Sequence, residues 1–535
     1  MDTLYLRITD PDKQKNDIER AASFLANGEV VAIPTETVYG LAASAFDAEA
    51  VKKIFEAKGR PQDNPLIVHL SKPEDANKIA RDIPEKAFEL FRRFSPGPLT
   101  VILKKKDVIP DEVSAGLSTV AVRIPSHPVA RAVIEASGVP LAAPSANISG
   151  FPSPTCAEDV LDDMNGRIAA IIDSGSCECG IESTVVSLVS SPARLLRPGV
   201  ITAEQLKSVL GEIIIDGAVL RPMKEGQTAA SPGMKYKHYS PKAKISIVRG
   251  SRDDFFKYLE QHRAEADHAL IFEEDAPFCS LPFVLFGKEN EPLTQSARLF
   301  SALRELDRKG AKNVFAREPS KEGVGLGVCN RLYRAAGFRF LNDKKVIGVC
   351  GQTGSGKSTV CDIFRKNGAE IIDTDKIARE IVLPGSKTLA ALANNFGDDI
   401  IRPDGTLNRP LLAERAFSSS EKARLLSSIT HPAIIEISRE RIKNALDSGK
   451  SAVIDAPLLF SAGMDKLCDV TVKVTAPEEL RLSRIIKRDG IDANEAKKRA
   501  TVQKEEDALS EKADIIIKNY PPHSAEEQLK IYHLI

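Results

Sequence analysis

The residues most clearly able to do chemistry lie between Gly351 and Ser358, a segment that fits the P-loop pattern for binding phosphate. Apolar residues 346–350 predict a strand before the loop, and residues 357–367 predict a helix after it. Glycines let backbone N–H groups wrap a phosphate at a helix N-terminus, where the helix dipole also favours anions. Lys357 would bridge the terminal phosphates of a nucleotide, and Ser358 would hold Mg²⁺. The strand–loop–helix context argues against a Gly-rich turn formed by chance.

Two further predicted strands near this loop end in carboxylates. The first ends in Asp373 and Asp375, which the two-residue period of a strand places on one face. Asp375 would lie where a substrate hydroxyl meets the γ-phosphate, and the alternative is that it only caps a helix beginning at Lys376. The second strand, residues 452–455, would bring Asp455 near Mg²⁺ or the attacking group.

A basic stretch follows farther along the chain. Residues 481–504 carry eight basic and three acidic side chains in a helical pattern. Such a run is commonly a solvated helix face. Behind a P-loop it also suits a lid whose arginines neutralise charge on a transferred phosphoryl group. Together with the loop and the carboxylates, this stretch predicts a small-molecule kinase.

A second set of polar residues lies near the N-terminus and contains no P-loop. Lys58 and Arg60 close a helix predicted over residues 49–58, and Ser145 and Asn147 lie in a turn. Cations at a helix C-terminus are explained by the helix dipole alone, and small polar residues are ordinary in turns. By themselves these four residues leave their role open.

Several domains must position these residues. At roughly 150 residues per domain, a chain of 535 residues predicts three or four domains. Short apolar runs alternate with amphipathic segments over most of the length, which is typical of α/β folds. The predicted organisation is an N-terminal unit over 1–215, a linker over 216–242, a second unit over 243–341 and a third over 342–535.

The composition excludes several classes of protein. Hydrophobic residues make up 42% and charged residues 28%, an ordinary globular balance. Lys+Arg and Asp+Glu are both 74, which disfavours a nucleic-acid binder that is basic along its whole length. The eight Cys lack zinc-ligand spacing and are expected to be reduced thiols. Neither a signal peptide nor an apolar run near the ~18 residues of a membrane span is found, so we expect a cytoplasmic protein with no membrane partner.

The region around the P-loop carries further motifs, at residues 372–380, 404–409, 430–432, 455–460, 488–490 and 512–514. With them, the chain from Lys345 to Ile535 resembles dephospho-CoA kinases. The resemblance implies transfer of the γ-phosphate of ATP to the ribose 3′-hydroxyl of dephospho-CoA, with Lys357 and Asp375 as catalytic residues and Asp375 as the general base. It implies that Ser358 and Asp455 hold Mg²⁺. The ATP-binding residues it implies are Gly351, Gly354, Ser355, Gly356, Lys357, Ser358 and Thr359, with Arg484 and Arg488 as lid arginines.

The kinase region also departs from its family. Ser461 stands where the family often has Glu, and Gln352-Thr353 stand where it often has Gly-Ile. Loss of a substrate-contacting Glu could reduce affinity or turnover. A P-loop kinase acting on another small molecule, of the adenylate or sugar kinase type, is the alternative.

The N-terminal region carries motifs at residues 34–40, 64–69, 95–100, 119–125, 180–185 and 196–199, besides Lys58-Gly-Arg60 and Ser145-Ala-Asn147. From Asn16 to Leu210 the chain resembles the YrdC-type threonylcarbamoyl-AMP synthases, whose signature is Lys-x-Arg with Ser-x-Asn. The residues up to Ala336 resemble the extra C-terminal domain of the longer members, in which the linker folds back over the active site. Ser95 stands where the family commonly has Trp.

This second resemblance implies that L-threonine, bicarbonate and ATP are joined into L-threonylcarbamoyladenylate and pyrophosphate, for tRNA threonylcarbamoyladenosine modification by proteins acting downstream. Lys58 and Arg60 would be catalytic, because a carbamate and the α-phosphate are both anions and must be held together. The residues implied on the threonine side are Thr37, His69, Arg123 and Ser183. Those implied on the ATP side are Arg60, Asn64, Thr119, Ser145, Asn147, Ser153 and Arg197, with Tyr236 and Tyr239 from the linker.

The sequence as a whole predicts a fusion of two ATP-using enzymes in three α/β units: a YrdC-like twisted open sheet, a small Rossmann-like domain, and a P-loop kinase with a parallel sheet and a helical lid. One alternative is that the first unit is mainly an RNA-binding module. Another is that one half is a catalytically inactive scaffold. The middle domain carries a weak Gly-containing motif over 326–331, for which we expect a structural or gating role.

Overall fold

The chain divides into two units, Met1–Asn342 and Asp343–Ile535. The computed structural model describes residues 2–220, 239–342, 344–501, 504–532 and 534–535. Most of the predicted linker, including Tyr236, lies outside these described residues. In the ranges described, no helix is long and apolar enough to cross a membrane.

A mixed sheet of twelve strands forms the first part of unit one. Its strands are β1 (Leu4–Arg7), β2 (Val31–Ile33), β3 (Gly40–Ser44), β4 (Ile67–His69), β5 (Ala80–Arg81), β6 (Leu99–Lys105), β7 (Thr119–Arg123), β8 (Leu141–Ala142), β9 (Ala170–Asp173), β10 (Thr184–Ser187), β11 (Ala193–Arg197) and β12 (Ile213–Ile215). They lie in the order β1-β9-β2-β3-β8-β4-β7-β6-β10-β11-β12, with β5 paired to β6 at the side. Every residue of β2, β3 and β4 is buried, so side chains at the ends of these strands are held rigidly.

Helices cover both faces of this sheet. They are α1 (Lys15–Ala26), α2 (Ala48–Lys58), α3 (Ala76–Ile79), α4 (Glu85–Phe94), α5 (Asp111–Ser114), α6 (Pro128–Ser137), α7 (Ala157–Met164) and α8 (Ala203–Leu210). Apolar residues of α1 and α6 pack in one core, and those of α2, α4 and α7 pack in another. The sheet is therefore the middle layer of an α/β fold.

A second, fully parallel sheet completes unit one. Its elements are β13 (Lys244–Val248), α9 (Arg252–Gln261), β14 (His268–Ile271), β15 (Phe283–Leu285), α10 (Pro292–Arg308), β16 (Asn313–Arg317), α11 (Gly325–Ala335) and β17 (Phe340–Leu341). The strand order is β15-β14-β16-β13-β17. Helix α10 begins at Pro292, and proline is favourable in the first turn of a helix. Every residue of α11 is buried, which marks it as a helix packed on more than one side.

Unit two contains a five-stranded parallel sheet. Its elements are β18 (Val346–Cys350), α12 (Lys357–Lys366), β19 (Glu370–Asp373), α13 (Thr374–Glu380), α14 (Lys387–Phe396), α15 (Arg409–Ala416), α16 (Ser420–Asp447), β20 (Ala452–Asp455), β21 (Val470–Thr475), α17 (Glu478–Asp489), α18 (Ala493–Thr501), α19 (Lys504–Leu509), β22 (Ile515–Lys518) and α20 (Ala525–Ile531). The strand order is β19-β20-β18-β21-β22. The carboxyl ends of β18, β19 and β20 therefore meet at one edge, the usual place for a ligand in a parallel sheet.

The α/β prediction is confirmed, and one predicted element is wrong. Strand β19 stops at Asp373, and Asp375 lies in the first turn of α13, so the two carboxylates do not share a strand face. The Asp373 side chain accepts a hydrogen bond from the Lys376 backbone N–H at 3.0 Å. This N-cap turns the chain out of the strand and into a helix two residues before the predicted end. The domain limits stay predictions.

Candidate active sites

The end of α2 delivers the two predicted cationic residues of the first site. Asp47 caps the start of α2 by accepting from Glu49 N and Ala50 N, and Gly59 ends the helix with φ 60°, in the left-handed region. This turn places Lys58 as the last helical residue and sends Arg60 into the following loop. The local sequence therefore determines how the Lys-x-Arg segment leaves the helix.

Lys58 is buried, and it binds backbone oxygen atoms. Its Nζ donates to the Ser145 carbonyl, to the Asn147 carbonyl at 2.6 Å and to Asn147 Oδ1 at 3.5 Å. Burial, together with the nearby Arg60 charge, holds the pKa of Lys58 well below its usual value. Lys58 therefore ties α2 to the loop that carries Ser145 and Asn147.

A pocket lies beside this loop, and several polar side chains converge on it, as they do in small-molecule sites. Several of its walls are side chains from separate elements of unit one. The polar residues that line it are Thr35, Arg60, His69, Arg123, Ser145, Glu182, Arg197 and Tyr239. The structure thus brings six of the predicted synthase residues together, namely Arg60, His69, Arg123, Ser145, Arg197 and Tyr239.

On the predicted threonine side, Arg123 and His69 line the pocket. Arg123 Nη2 lies 2.8 Å from the Glu36 carboxylate in a buried ion pair and donates to Thr35 Oγ1 at 3.4 Å. The Thr35 hydroxyl is in turn 2.9 Å from that of Thr37. Burial and the Arg123 charge lower the pKa of His69 to about 3, so its ring is neutral. Thr37 therefore does not line the pocket itself but is hydrogen-bonded to Thr35, which does.

On the predicted nucleotide side, buried polar groups lack partners. Arg60 Nη2 donates to the Asn64 carbonyl at 3.1 Å, but Arg60 Nε and both side-chain amide atoms of Asn64 are buried with no hydrogen-bond partner among the described residues. Burial lowers the pKa of Arg60 to about 10. Because buried polar groups are normally hydrogen-bonded, these atoms indicate a polar ligand, and the cation indicates an anionic one.

The other residues predicted on the nucleotide side are held by hydrogen bonds or lie beside the pocket. Ser145 Oγ donates to Asn147 Oδ1, which fixes the loop. Arg197 donates from Nε to the Ser183 carbonyl at 3.0 Å and from Nη2 to Ser183 Oγ at 3.1 Å, so Ser183 supports Arg197. Thr119 opens β7 and faces a smaller cavity beside the pocket.

Two residues that the sequence does not assign meet at this pocket, Glu182 in its wall and Arg331 behind Glu182. Glu182 lines it and accepts from Ser153 Oγ at 2.6 Å. Its other carboxylate oxygen accepts from Nε of Arg331, which comes from α11. Both residues lie in motifs that the sequence analysis noted, at 180–185 and 326–331, but nothing local to either motif predicts that they meet.

The P-loop of unit two has the expected form. Gly356, with φ 89°, precedes α12, and Lys357, Ser358 and Thr359 form the first turn of that helix. A Cβ on Gly354 would lie 2.6 Å from the Arg481 carbonyl oxygen, so this position requires glycine. Ser358 and Thr359 are exposed, whereas Ser355 is buried. The loop thus presents its hydroxyl groups and N–H groups at the helix N-terminus.

Carboxylates gather next to the loop. Lys357 Nζ pairs with Asp455 Oδ1, and the Thr374 hydroxyl donates to the Asp455 carbonyl at 3.0 Å. The alternative that Asp375 only caps a helix is wrong, because Asp373 makes that cap and Asp375 lies in the first turn of α13. Partial burial raises the pKa of Asp375; Lys357 opposes this shift, and the charges of Asp373 and Asp455 add to it.

The two predicted lid arginines differ in their contacts. Arg484 donates from Nη1 to the Gly354 and Ser355 carbonyls at 3.2 and 3.1 Å, which braces the P-loop from its carbonyl side. Arg488 is exposed and pairs with the neighbouring Asp489. Binding of ATP by either arginine stays a prediction.

A buried carboxylate lies beside Ser461, the position at which the sequence departs from the kinase family pattern. Glu506, in α19, accepts from Phe460 N at 2.8 Å and from Ser461 N at 2.9 Å. The sequence gives no local signal for this contact, because Glu506 and Ser461 are 45 residues apart and lie in different elements. A carboxylate is thus present next to position 461, although the chain supplies it from another helix.

Comparisons with known proteins divide the chain in the same way. Residues 23–199 match a family model described as "Telomere recombination", and residues 201–337 match "Threonylcarbamoyl-AMP synthase, C-terminal domain". The threonylcarbamoyl-AMP synthase of Pyrococcus abyssi is 46% identical over 328 residues, which is 61% of this chain and 95% of that protein. A crystal structure of P. abyssi Sua5 complexed with L-threonine is 43% identical, with a TM-score of 0.58 over 64% of this chain and 99% of that one.

The C-terminal part has a separate set of relatives. Residues 345–523 match the family model "Dephospho-CoA kinase". The dephospho-CoA kinase of Corynebacterium efficiens is 46% identical over 177 residues, covering 33% of this chain and 88% of that protein.

The folds and sites define an α/β enzyme with two nucleotide-using centres, one of which is a P-loop kinase. The chain belongs to the threonylcarbamoyl-AMP synthases through its N-terminal and middle regions, and to the dephospho-CoA kinases through its C-terminal region. It is a fusion that combines both activities, and both families use ATP. The resemblances and the enzyme class predicted from the sequence are confirmed, and nothing favours an RNA-binding module or another kinase substrate.

Proposed function

We propose that the pocket of unit one binds L-threonine, bicarbonate and ATP and releases L-threonylcarbamoyladenylate and pyrophosphate. The observation that carries this assignment is the buried Arg60 beside an Asn64 whose amide atoms lack partners. Those groups suit the α-phosphate, whose charge rises as the carbamate oxygen attacks and pyrophosphate leaves. Neutral His69 and Arg123, which is paired with Glu36, line the part of the pocket assigned to threonine, which binds there without adding net charge.

Lys58 takes a supporting part in this proposal. It is hydrogen-bonded to the loop of Ser145 and Asn147, and this holds the loop at the distance the nucleotide needs. Correct placement alone supplies much of a rate enhancement. No covalent intermediate with the protein is required, because the carbamate itself is the nucleophile.

The test of the synthase site is an assay of the purified chain for pyrophosphate release. We expect release that requires ATP, threonine and bicarbonate together and does not require RNA. Arg60→Met should lower the rate by about 10² or more, the usual loss for one charge-stabilising donor, and should leave kinase activity in the same sample unchanged. Release that continues without threonine, or that needs RNA, would contradict the assignment.

For unit two, we propose that the P-loop and Lys357 hold the phosphates of ATP and that Asp375 takes the proton of the 3′-hydroxyl of dephospho-CoA. Asp375 suits this part because it is free of the helix cap and its pKa is raised. The base must be ionised, so kcat/KM should fall as pH falls through a pKa above that of an ordinary Asp, about 3.9. A pH–rate profile measures this acidic limb.

Asp375→Asn should remove the kinase activity without changing synthase rates, and an active variant would exclude Asp375 as the base.

Mg²⁺ fits the donors beside this loop. Ser358 presents a hydroxyl and Asp455 a carboxylate, and both are oxygen ligands of the kind that Mg²⁺ prefers. The described residues contain no group of three or more His, Cys, Asp or Glu side chains able to hold a metal alone. Mg²⁺ is commonly bound through one or two carboxylates together with substrate phosphates and water. When bound, it would neutralise phosphate charge, with Ser358 and Asp455 as its protein ligands.

The wider setting follows from these reactions. We propose that the adenylate leaves the enzyme as a carrier of the threonylcarbamoyl group for tRNA-modification proteins, and that the protein acts in the cytoplasm. We also propose the functional divisions 1–215, 216–242, 243–341 and 342–535. Pulldown with a tRNA-modification enzyme and limited proteolysis at the proposed boundaries test these points.

A further inference from the structure

Arg331 lies in α11, and its side chain is completely buried. Its guanidinium donates from Nε to Glu182 Oε2 at 2.9 Å and from Nη2 to the Glu182 backbone carbonyl at 2.9 Å. Nη1 donates to the Pro198 carbonyl. Such a planar, multiply bonded guanidinium fixes orientation as well as charge. Arg331 therefore holds Glu182 by its side chain and by its backbone.

The residue that it holds belongs to the pocket wall. Glu182 lines the synthase pocket, and its second carboxylate oxygen accepts from Ser153 Oγ at 2.6 Å. Burial favours a neutral carboxyl, but the charges of Arg331 and Arg197 hold the pKa of Glu182 below its usual value. Glu182 is thus an ionised group that links Arg331 to two residues proposed to bind the nucleotide, Ser153 and Arg197.

The chain near Glu182 also packs closely against the backbone of α10 and α11. A Cβ on Gly327, in α11, would lie 3.1 Å from Gly199 Cα. A Cβ on Gly180 would overlap the Ser296 carbonyl oxygen in α10. These close approaches leave the Glu182 loop no room to move independently of α10 and α11.

Two arginines of α10 also join the two parts of unit one, but they pair with aspartates of α7. Arg308 pairs with Asp159 in α7, and Arg304 pairs with Asp163 at 2.7 Å. Neither aspartate lines the pocket. Several ion pairs therefore hold the second part of unit one against the first, whereas Arg331 pairs with Glu182, a residue that lines the pocket.

We propose that Arg331 is a positioning residue of the synthase site, which acts through Glu182 to set Ser153 and Arg197 for the nucleotide. The second sheet of unit one then completes the active site, and synthesis of the adenylate depends on it. This inference rests on the proposed assignment of the pocket to ATP.

The test uses the full chain with four single variants: Arg331→Met, Arg331→Lys, Arg308→Met as the matched control, and Arg60→Met. Pyrophosphate release is measured against ATP concentration, and 3′-phosphorylation of dephospho-CoA by the same preparation gives the internal standard. We expect Arg331→Met to lower kcat/KM for ATP at least tenfold. Arg331→Lys should recover part of this loss, because lysine keeps the charge but cannot make all three bonds. Arg308→Met should stay within twofold of the unchanged protein.

A pH profile separates positioning from mere structural support. The charged and titratable groups that face Glu182 are Arg331, Arg197, Lys58 and Tyr239. Loss of the Arg331 charge raises the pKa of Glu182, so the ionised form is lost at a higher pH. The acidic limb of pyrophosphate release should therefore move toward neutral pH in Arg331→Met and stay in place in Arg308→Met.

The outcomes decide between the possibilities. Equal effects of Arg331→Met and Arg308→Met, or a loss of rate with no movement of the acidic limb, would overturn the inference. If Arg331→Met shows no cooperative thermal unfolding, Arg331→Lys decides: a loss of about threefold or more supports the inference, and unchanged kinetics overturn it. Unimpaired pyrophosphate release by Arg60→Met would instead overturn the assignment of the pocket to ATP, which is a separate failure.

Discussion

The two nucleotide sites of this chain are built in different ways. The kinase site takes its phosphate-binding groups from one continuous segment between β18 and α12, and carboxylates follow the neighbouring strands. The synthase pocket takes Arg60, His69, Arg123 and Arg197 from four separate elements. A phosphate-binding loop that uses backbone N–H groups should tolerate most side-chain substitutions. A pocket of buried charged side chains depends on each residue that pairs with those charges. Substitutions far from the site should therefore damage the synthase site more than the kinase site.

The largest effect should come from the one lysine of the P-loop. Lys357→Met removes the cation that meets the terminal phosphates and leaves Asp455 without its ion-pair partner. We expect kcat of the kinase to fall by about 10³, the scale of losing a principal charge-stabilising group. Pyrophosphate release in the presence of threonine should be unchanged. Loss of both activities would remove the distinction between two independent sites.

A slightly smaller loss is expected at the buried lysine of the synthase site. Lys58→Met leaves the Ser145 and Asn147 carbonyls without a donor, and an unsatisfied buried acceptor costs about 1–3 kcal/mol. The loop should shift, and pyrophosphate release should fall by about 10², with kinase rates retained. Lys53→Met is the control on the same helix, because Lys53 is half-exposed and binds Gly28 and Glu29. Similar losses for both variants would show a general effect on α2.

The same contrast explains what the sequence could predict. The P-loop and its flanking elements are predictable because adjacent residues determine them, and β18 and α12 lie where the apolar and glycine patterns indicate. The pairs Lys58–Asn147 and Glu182–Arg331 are 89 and 149 residues apart, so they depend on how whole sheets pack. The predicted end of β19 is wrong for a local reason, because the helix cap formed by Asp373 ends the strand before Asp375.

Arg484 tests whether the kinase loop is as self-sufficient as its sequence suggests. Arg484→Gln removes the donors to the Gly354 and Ser355 carbonyls. The loop should loosen, and KM for ATP should rise about tenfold, equivalent to about 1.4 kcal/mol of binding free energy. Arg365→Gln is the matched control, because Arg365 is exposed on α12 and pairs with Asp362. Unchanged ATP kinetics in Arg484→Gln would show that the loop holds its shape without this brace.

The smallest effect concerns the carboxylate beside Ser461. Glu506 accepts from the Phe460 and Ser461 N–H groups with two oxygens, and Glu506→Gln keeps only one of those acceptors. A net loss of about 1 kcal/mol per hydrogen bond predicts a three- to fivefold rise in KM for dephospho-CoA with little change in kcat. Glu511→Gln is the control, since Glu511 is mostly exposed and pairs with Lys473. If Glu506→Gln instead leaves KM unchanged, the segment after β20 does not need this carboxylate. A rise confined to Glu506→Gln would mean that the kinase site, too, depends on a partner distant in sequence, and the difference between the two sites would then be one of degree.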